Sequence, residues 1–355
     1  MEIPVLQRPG IYSNPMLRKG EPGKMTVKKE LKIEHIDDGI YNIETHYLNQ
    51  EGIASCYLIE DKGELAFVET NTNYAVPYLL GAVEKLGFTL EQVKYVIVTH
   101  IHLDHAGGAG LLVSKLPRAK LLVHPRGRKH MIDPGKLIEG VKAVYGEKKY
   151  KKLYGDILPI PKERVRAVEN AEVLTLGERE LAFIDSPGHA KHHMFVFDKL
   201  TKSIFSGDAF GIGYPRFAFE NFRLYFPSTS PVQFDPDRSI ETYGKIVDLD
   251  PTRVLLTHYG SIEDIAGAHA QLNAWITFSA QTAAKRYDEG YREKELYEIL
   301  YNDIVARFDR ILRDSRGSGL TPGEKDFLFL DSDLNAQGLA LYIEKIRGKE
   351  VRGKG

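Results

Sequence analysis

Short apolar runs separated by turn residues fill the first two thirds of the chain, and long stretches of helical period fill the last. Cys56–Glu60, after Gly52, and Glu64–Thr70, after Lys62-Gly63, read as a hairpin. Between 75 and 87 the period changes. Ala75, Tyr78, Leu79, Ala82, Val83 and Leu86 share one helical face, which Gly87 ends as a left-handed cap would. Thr89 and Gln92 have capping-box spacing, and the β-branched run 93–99 predicts a buried strand. A helix over 109–116 and a strand over 119–125 follow. Residues 126–165 are basic and helical in pattern and read as an insertion. Strand signals return at 171–176, 180–186, 193–198, 203–208 and 252–258, with a long aromatic, proline-containing segment at 209–236. Beyond about 262 they stop; 263–313 and 334–347 read as amphipathic helices around a glycine-rich break at 316–323. The pattern divides the chain into an N-terminal arm, 1–30, a strand-and-helix unit of α/β class, 31–262, and a helical region, 263–355.

Composition narrows the function classes. The chain has 355 residues, 43% of them hydrophobic and 27% charged, which excludes a disordered or fibrous protein. Lys and Arg number 48 against 49 Asp and Glu, a balance that argues against a dedicated nucleic-acid binder. The basic stretch 141–152, with Tyr145 and Tyr150 among its lysines, is read as a solvated helix face. A single cysteine, Cys56, forbids an intramolecular disulfide and points to the cytoplasm. The N-terminus lacks the pattern of a secretory signal, and no apolar run approaches the roughly 18–20 residues of a membrane span.

The chemistry concentrates in His100-Ile101-His102-Leu103-Asp104-His105, directly after the buried strand and followed by Gly107-Gly108. Alternate residues of extended backbone face one way, so His100 and His102 can converge on one cation. If the chain then turns, Asp104 and His105 can face a second site beside it. His189, in Ser186-Pro187-Gly188-His189, Asp208, ending Ser206-Gly207-Asp208, and His258 each lie where a later strand runs out, the usual place for chemistry in α/β folds. Imidazole and carboxylate donors suit zinc, iron or manganese.

These motifs, in this order, resemble those of the metallo-β-lactamase superfamily over roughly residues 31–262. The resemblance implies an αββα four-layer sandwich, here with a C-terminal helical extension, and a two-metal site on one edge of the paired sheets. It implies that His100, His102 and His189 hold one metal, that Asp104, His105 and His258 hold the other, and that Asp208 bridges them. Zinc is the first expectation, with iron or manganese as alternatives. Ser186-Pro187-Gly188-His189-Ala190-Lys191-His192-His193 looks like a branch of the lactonase- and glyoxalase-II-like hydrolases. Two departures stand out. Glu69-Thr70-Asn71 replaces an Asp-Thr-Gly-like turn, and Gly211 stands where acyl-homoserine lactonases often carry a tyrosine.

The function this implies is two-metal hydrolysis of an ester, thioester, lactone or related small-molecule bond, with Asp104 orienting the water or moving a proton. The competing class is a non-haem iron protein of the same superfamily, either a di-iron oxygen-reducing or oxygen-binding member or a mono-iron sulfur dioxygenase. Flavodiiron members usually carry Glu at the position of His102. A third class is a metal-binding sensory module. Candidate substrate contacts are His193, Phe210, Tyr214, Phe222, Tyr225 and Tyr259. The aromatic residues of 209–236 fit a lid over the substrate or packing against the C-terminal helices. Those helices fit a substrate-holding region, a pocket lid or a homodimer interface.

Overall fold

A computed structural model describes residues 29–352; most of the expected N-terminal arm, 1–28, lies outside the described residues. The first half-domain is a seven-stranded sheet in sequential order, from β1 (Ile33–Asp37), β2 (Ile40–Glu44), β3 (Ser55–Asp61) and β4 (Glu64–Val68) to β5 (Val93–Ile97), β6 (Lys120–Val123) and β7 (Val165–Ala167). β3 and β4 form the expected hairpin, with Asp61 opposite Glu64. Lys62 and Gly63 make its two-residue turn, both at positive φ, as a turn matched to strand twist requires. From β4 onward the strands run parallel. Their crossovers carry α1 (Val76–Lys85), α2 (Leu103–Ala106), α3 (Ala109–Lys115), α4 (Pro125–Ile132), α5 (Gly135–Tyr145) and α6 (Glu147–Tyr154). The second sheet has six strands in the order β15-β14-β11-β10-β9-β8. They are β8 (Val173–Leu176), β9 (Arg179–Asp185), β10 (Met194–Asp198), β11 (Ser203–Gly207), β14 (Arg253–Leu256) and β15 (Gly260–Ile262). A two-stranded ribbon, β12 (Ala218–Phe219) and β13 (Phe222–Arg223), and helix α7 (Pro236–Asp248) interrupt the run.

Strand alternation builds the layers. Tyr57 and Ile59 of β3 point into a core shared with Phe183, Val196 and Phe205 of the second sheet. Cys56 and Leu58, on the opposite face, pack with Leu79 and Val83 of α1 and Leu112 of α3. Both faces of the strands are therefore buried, which is why they read as near-continuous apolar runs. The outer face of the second sheet, with Phe195, Ile204, Val254 and Leu256, is covered by α7, α8 (Ile265–Asp288), α9 (Glu293–Arg316), α10 (Pro322–Phe327) and α11 (Phe329–Arg352). The result is the expected four-layer α/β sandwich. The C-terminal helices share one apolar cluster with the second sheet.

The structure differs from the sequence reading in three places. β1 and β2 precede the expected hairpin as two further strands of its sheet. The stretch expected as a helical insertion, 126–165, holds α4 to α6 and then returns to the sheet at β7. The segment expected as an aromatic lid, 209–236, is packed inward: Phe210, Phe217 and Phe226 are fully buried in the cluster that joins the second sheet to the C-terminal helices. Phe226 stands edge-on to Phe308 of α9 at 4.9 Å, and Phe308 meets Trp275 of α8 at 4.7 Å. Burying rings of this size removes more apolar surface from water than a mobile flap would.

Helix α11 is seated against the same segment by Asn335, whose side chain accepts from the Thr229 amide at 2.7 Å and donates to the Pro227 carbonyl at 3.0 Å. Gly338, one turn on, lies where any Cβ would collide with the Thr229 carbonyl. Gly338→Ala should therefore destabilise the fold by about 1–3 kcal/mol, read from urea unfolding, although alanine alone would favour the helix by about 1 kcal/mol. A stabilised variant would show that α11 does not seat on Thr229.

Candidate metal centre

One edge of the sandwich collects the strand ends that carry the histidines and acids. β5 ends at Ile97, and the loop that follows reaches α2, with His102 as its N-terminal cap residue. The β9–β10 connection, the end of β11 and the end of β14 arrive at the same edge, because β10 and β11 are antiparallel and β14 runs parallel to β11. Backbone bonds tie the sheets together there, from the Met194 amide to the Thr99 carbonyl at 2.9 Å and from the Ser55 amide to the Thr257 carbonyl at 2.7 Å.

The turn after β4 clamps the ligand-bearing loop. Glu69 and Asn71 adopt left-handed backbone, and the Thr70 amide and hydroxyl both donate to the His105 carbonyl, at 2.9 and 2.8 Å. Asn71 Nδ2 donates to the Asp104 carbonyl at 3.0 Å. Gly108 is needed because a Cβ there would strike the Thr70 and Thr72 carbonyls, at 2.7 and 2.8 Å. Glu69 is buried, accepts a short hydrogen bond from the Thr99 hydroxyl, and places Oε2 3.5 Å from His105 Nδ1.

The seven expected residues converge as two adjoining groups. In the first, Nε2 of His100 and Nε2 of His189 lie 2.9 and 3.0 Å from His102 Nδ1. In the second, Asp104 Oδ2 lies 3.9 Å from His105 Nε2 and 3.5 Å from His258 Nε2. Asp208 stands between them. Its Oδ1 is 3.3 Å from His105 Nε2 and 3.6 Å from His258 Nε2, and its Oδ2 is 3.4 Å from His189 Nε2. Second contacts fix the rings. His189 Nδ1 donates to the Ser228 carbonyl at 2.9 Å and His258 Nδ1 to the Ile53 carbonyl at 3.0 Å, which leaves each Nε2 with a lone pair aimed inward. The Ser228 carbonyl belongs to the segment that Asn335 and Gly338 of α11 hold, so the C-terminal helix helps orient His189.

The donor set fits divalent cations. Both ring nitrogens of His105, Asp208 Oδ1 and Glu69 Oε2 are buried without a hydrogen-bond partner. Orphaned buried polar atoms are costly unless another group satisfies them, and cations at the two groups would do so. Burial, followed by the neighbouring imidazoles, pushes His100 and His102 well below the ordinary histidine range. Burial would also lower His105 and hinder Asp208, but their mutual attraction prevails. The carboxylates of Asp208, Glu69 and Asp104 hold His105 well above its usual value, and the imidazoles hold Asp208 well below the carboxylate range. His258 is raised in the same way, against burial, by Asp208 and Asp104.

Of the expected substrate contacts, Tyr214 and His193 stand beside the centre, the Tyr214 ring 6.5 Å from that of His258 and the His193 ring stacked on His100 at 4.7 Å. His193 is buried behind Asp208: it accepts from the Asp208 amide at 3.2 Å and donates to the Ser186 hydroxyl at 2.7 Å, so it holds a ligand-bearing loop and has no free nitrogen for a substrate. Phe210 packs on Tyr243 in the core, at 5.8 Å. Tyr225 is buried against Gly213 and Arg223, and Phe222 stacks on Phe219 in the small ribbon. The Tyr259 phenol turns to Glu44 and Asn42. A residue the sequence did not offer also reaches the rim. Asp331 of α11 accepts from the Tyr214 hydroxyl at 3.2 Å, and burial pushes its carboxyl up to about 7.

A sequence model of the metallo-beta-lactamase superfamily matches residues 49–258, a span that ends on His258. The chain belongs to that superfamily. Metallo-beta-lactamase fold-containing protein ST1585 of Sulfurisphaera tokodaii is 30% identical over 177 residues, which cover 49% of this chain and 63% of that protein. The crystal structure of ST1585 superposes with a TM-score of 0.58 at 20% identity, covering 86% of this chain and 99% of that one. The family protein TTHA1429 of Thermus thermophilus superposes at 0.55 and 18% identity, covering 88% and 94%. Among the described residues no helix is long and apolar enough to cross a membrane.

The raised values of His105 and His258 give the pH dependence its sign. Both rings hold a proton more tightly than an ordinary histidine, and a cation needs their lone pairs. Metal uptake should release protons and weaken as pH falls. Calorimetric titration in two buffers of different ionisation enthalpy measures this; uptake without proton release would contradict the arrangement.

Proposed function

We propose that this chain is a hydrolase that holds two divalent cations, zinc foremost, and cleaves an ester, thioester, lactone or related bond of a small molecule. The observation that carries this reading is Asp208, one buried carboxylate whose two oxygens face the two groups of donors. His100, His102 and His189 would hold one cation, and Asp104, His105 and His258 the other, with Asp208 shared. Such a pair, when bound, supplies a water acidified toward neutrality and polarises the substrate oxygen.

The chain's own groups then divide the work. Asp104 is the carboxylate of the centre that remains open, its side chain 28% exposed against 5% for Asp208. It stands where it can orient a water and take its proton. Glu69 and Thr99 brace the loop from behind, and His193 holds the Asp208 backbone. His102, an imidazole on the open side of the first group, favours hydrolysis over flavodiiron chemistry, for which a carboxylate is usual at that position.

A panel of lactone, thioester, carboxylic ester and phosphodiester substrates tests the proposal. Zinc-loaded protein should turn over at least one acyl substrate, chelation should abolish that activity, and Asp104→Asn should lower kcat by about 10²–10⁴-fold. Turnover that survives chelation would refute the reading. So would iron-loaded protein that hydrolyses none of the panel and consumes oxygen.

A further inference from the structure

The seven clustered donors leave a carboxyl beside the centre unused. Asp331 lies in the first turn of α11, partly exposed, while Ser332 and Asp333 beside it are buried. One of its oxygens accepts from the Tyr214 hydroxyl at 3.2 Å, and the Tyr214 ring stands edge-on to His258. The carboxyl is close enough to feel the charges of His258 and Asp208. Opposite, the loop between His102 and Asp104 is covered by the insertion, because Leu103 packs with Tyr150 and Leu153 of α6. Lys149 of α6 in turn feels the charge of Asp333 on α11. Asp331 therefore stands on the α11 side of the centre, one hydrogen bond from the Tyr214 ring that faces His258.

We infer that Asp331, held by Tyr214, is a specificity-determining residue that favours ligands carrying a cationic group next to the atom bound at the metal centre and disfavours anionic ones. The substrate part of this inference rests on the hydrolase reading and narrows it to amine-bearing or neutral acyl compounds. The charge argument is direct. Asp104, Asp208 and Glu69 have the imidazoles of the centre as partners, whereas Asp331 has a neutral phenol as its partner; because burial pushes its carboxyl up to about 7, its field is complete only above neutral pH. In a partly desolvated cleft, like charges a few ångströms apart differ from opposite ones by several-fold to many-fold in affinity. A carboxylate in the first turn of a helix also suits the helix dipole. That role would be indifferent to the charge of a ligand, so the two are separable.

The test uses metal-loaded protein at about pH 8.5, where the Asp331 carboxyl is ionised, and two thiols of similar length, 2-aminoethanethiol and 3-mercaptopropionate. Both place sulfur at the metals and differ in the charge of the arm. Wild type should bind the cationic probe tighter by about tenfold or more, as measured by calorimetry. Asp331→Asn should bring the ratio near unity, Asp331→Glu should restore part of it, and Tyr214→Phe should reduce it by releasing the carboxylate. An equal ratio in wild type and Asp331→Asn would overturn the inference. Should Asp331→Asn fail to fold, salt decides: the wild-type ratio shrinks with ionic strength if the carboxylate acts, and a constant ratio overturns the inference. Probe binding needs no turnover. Protein with the expected ratio and no hydrolysis would retain this inference and remove the hydrolase; hydrolysis without the ratio would do the reverse.

Discussion

A carboxylate buried among imidazoles is the constraint on which the rest of the site depends. Asp208 is 6% exposed, and three Nε2 atoms approach it within 3.6 Å. Charges so placed are expensive to remove from water unless each finds a partner. The charge of Asp208 raises the affinity of His105 and His258 for protons. With cations bound, the same nitrogens turn to metal. The ring nitrogens of His100, His102 and His189 converge to 2.9–3.0 Å, with Asp208 beside His189, an arrangement that a cation would stabilise.

The fold serves that constraint by bringing independent strand ends to one edge and fixing them from behind. Thr70 and Asn71 grip the loop of Asp104 and His105, the Ile53 carbonyl orients His258, and the Ser228 carbonyl orients His189. The last of these is itself held by Asn335 and Gly338 of α11, so the helices at the end of the chain are part of the site's support as well as the cover of the second sheet. Gly207 plays a comparable part, since a Cβ there would press on His193 Nε2 at 2.7 Å and on the Thr99 hydroxyl. Small residues occur here where backbone must approach side chains that are already committed.

Much of this was legible before the structure. The buried strands announced themselves as apolar runs, the hairpin by Lys62-Gly63, the helix over 76–85 by its period, and the seven donors by standing where strands end. What was not legible depends on tertiary contacts. β1 is a partly exposed edge strand with alternating charged residues, and the buried β2 carries Asn42 and Glu44 among its few apolar positions, so their apolar signal is weak. Asp235-Pro236 does mark the start of α7, a cap followed by proline at the first helical position, but the aromatic segment before it drew the reading toward a lid. Whether Phe210, Phe217 or Phe226 faces a substrate or a core depends on what lies opposite, and that is α8 and α9, far along the chain. Asp331 gave no signal at all: one acid of Leu330-Asp331-Ser332-Asp333, ahead of the expected helix, acquires meaning only when α11 is laid beside Tyr214. His193, adjacent in sequence to a ligand-bearing loop, looked available until its two nitrogens were seen to be engaged.

Elemental mass spectrometry of metal per chain, on wild type and His258→Ala purified side by side, tests the central claim most directly. The arrangement around Asp208 predicts about two divalent ions in wild type and about one in the variant, because His258 belongs to only one of the two groups. One ion per chain in both proteins would contradict a shared carboxylate between two cations and would leave Asp104, His105 and His258 as a purely structural cluster.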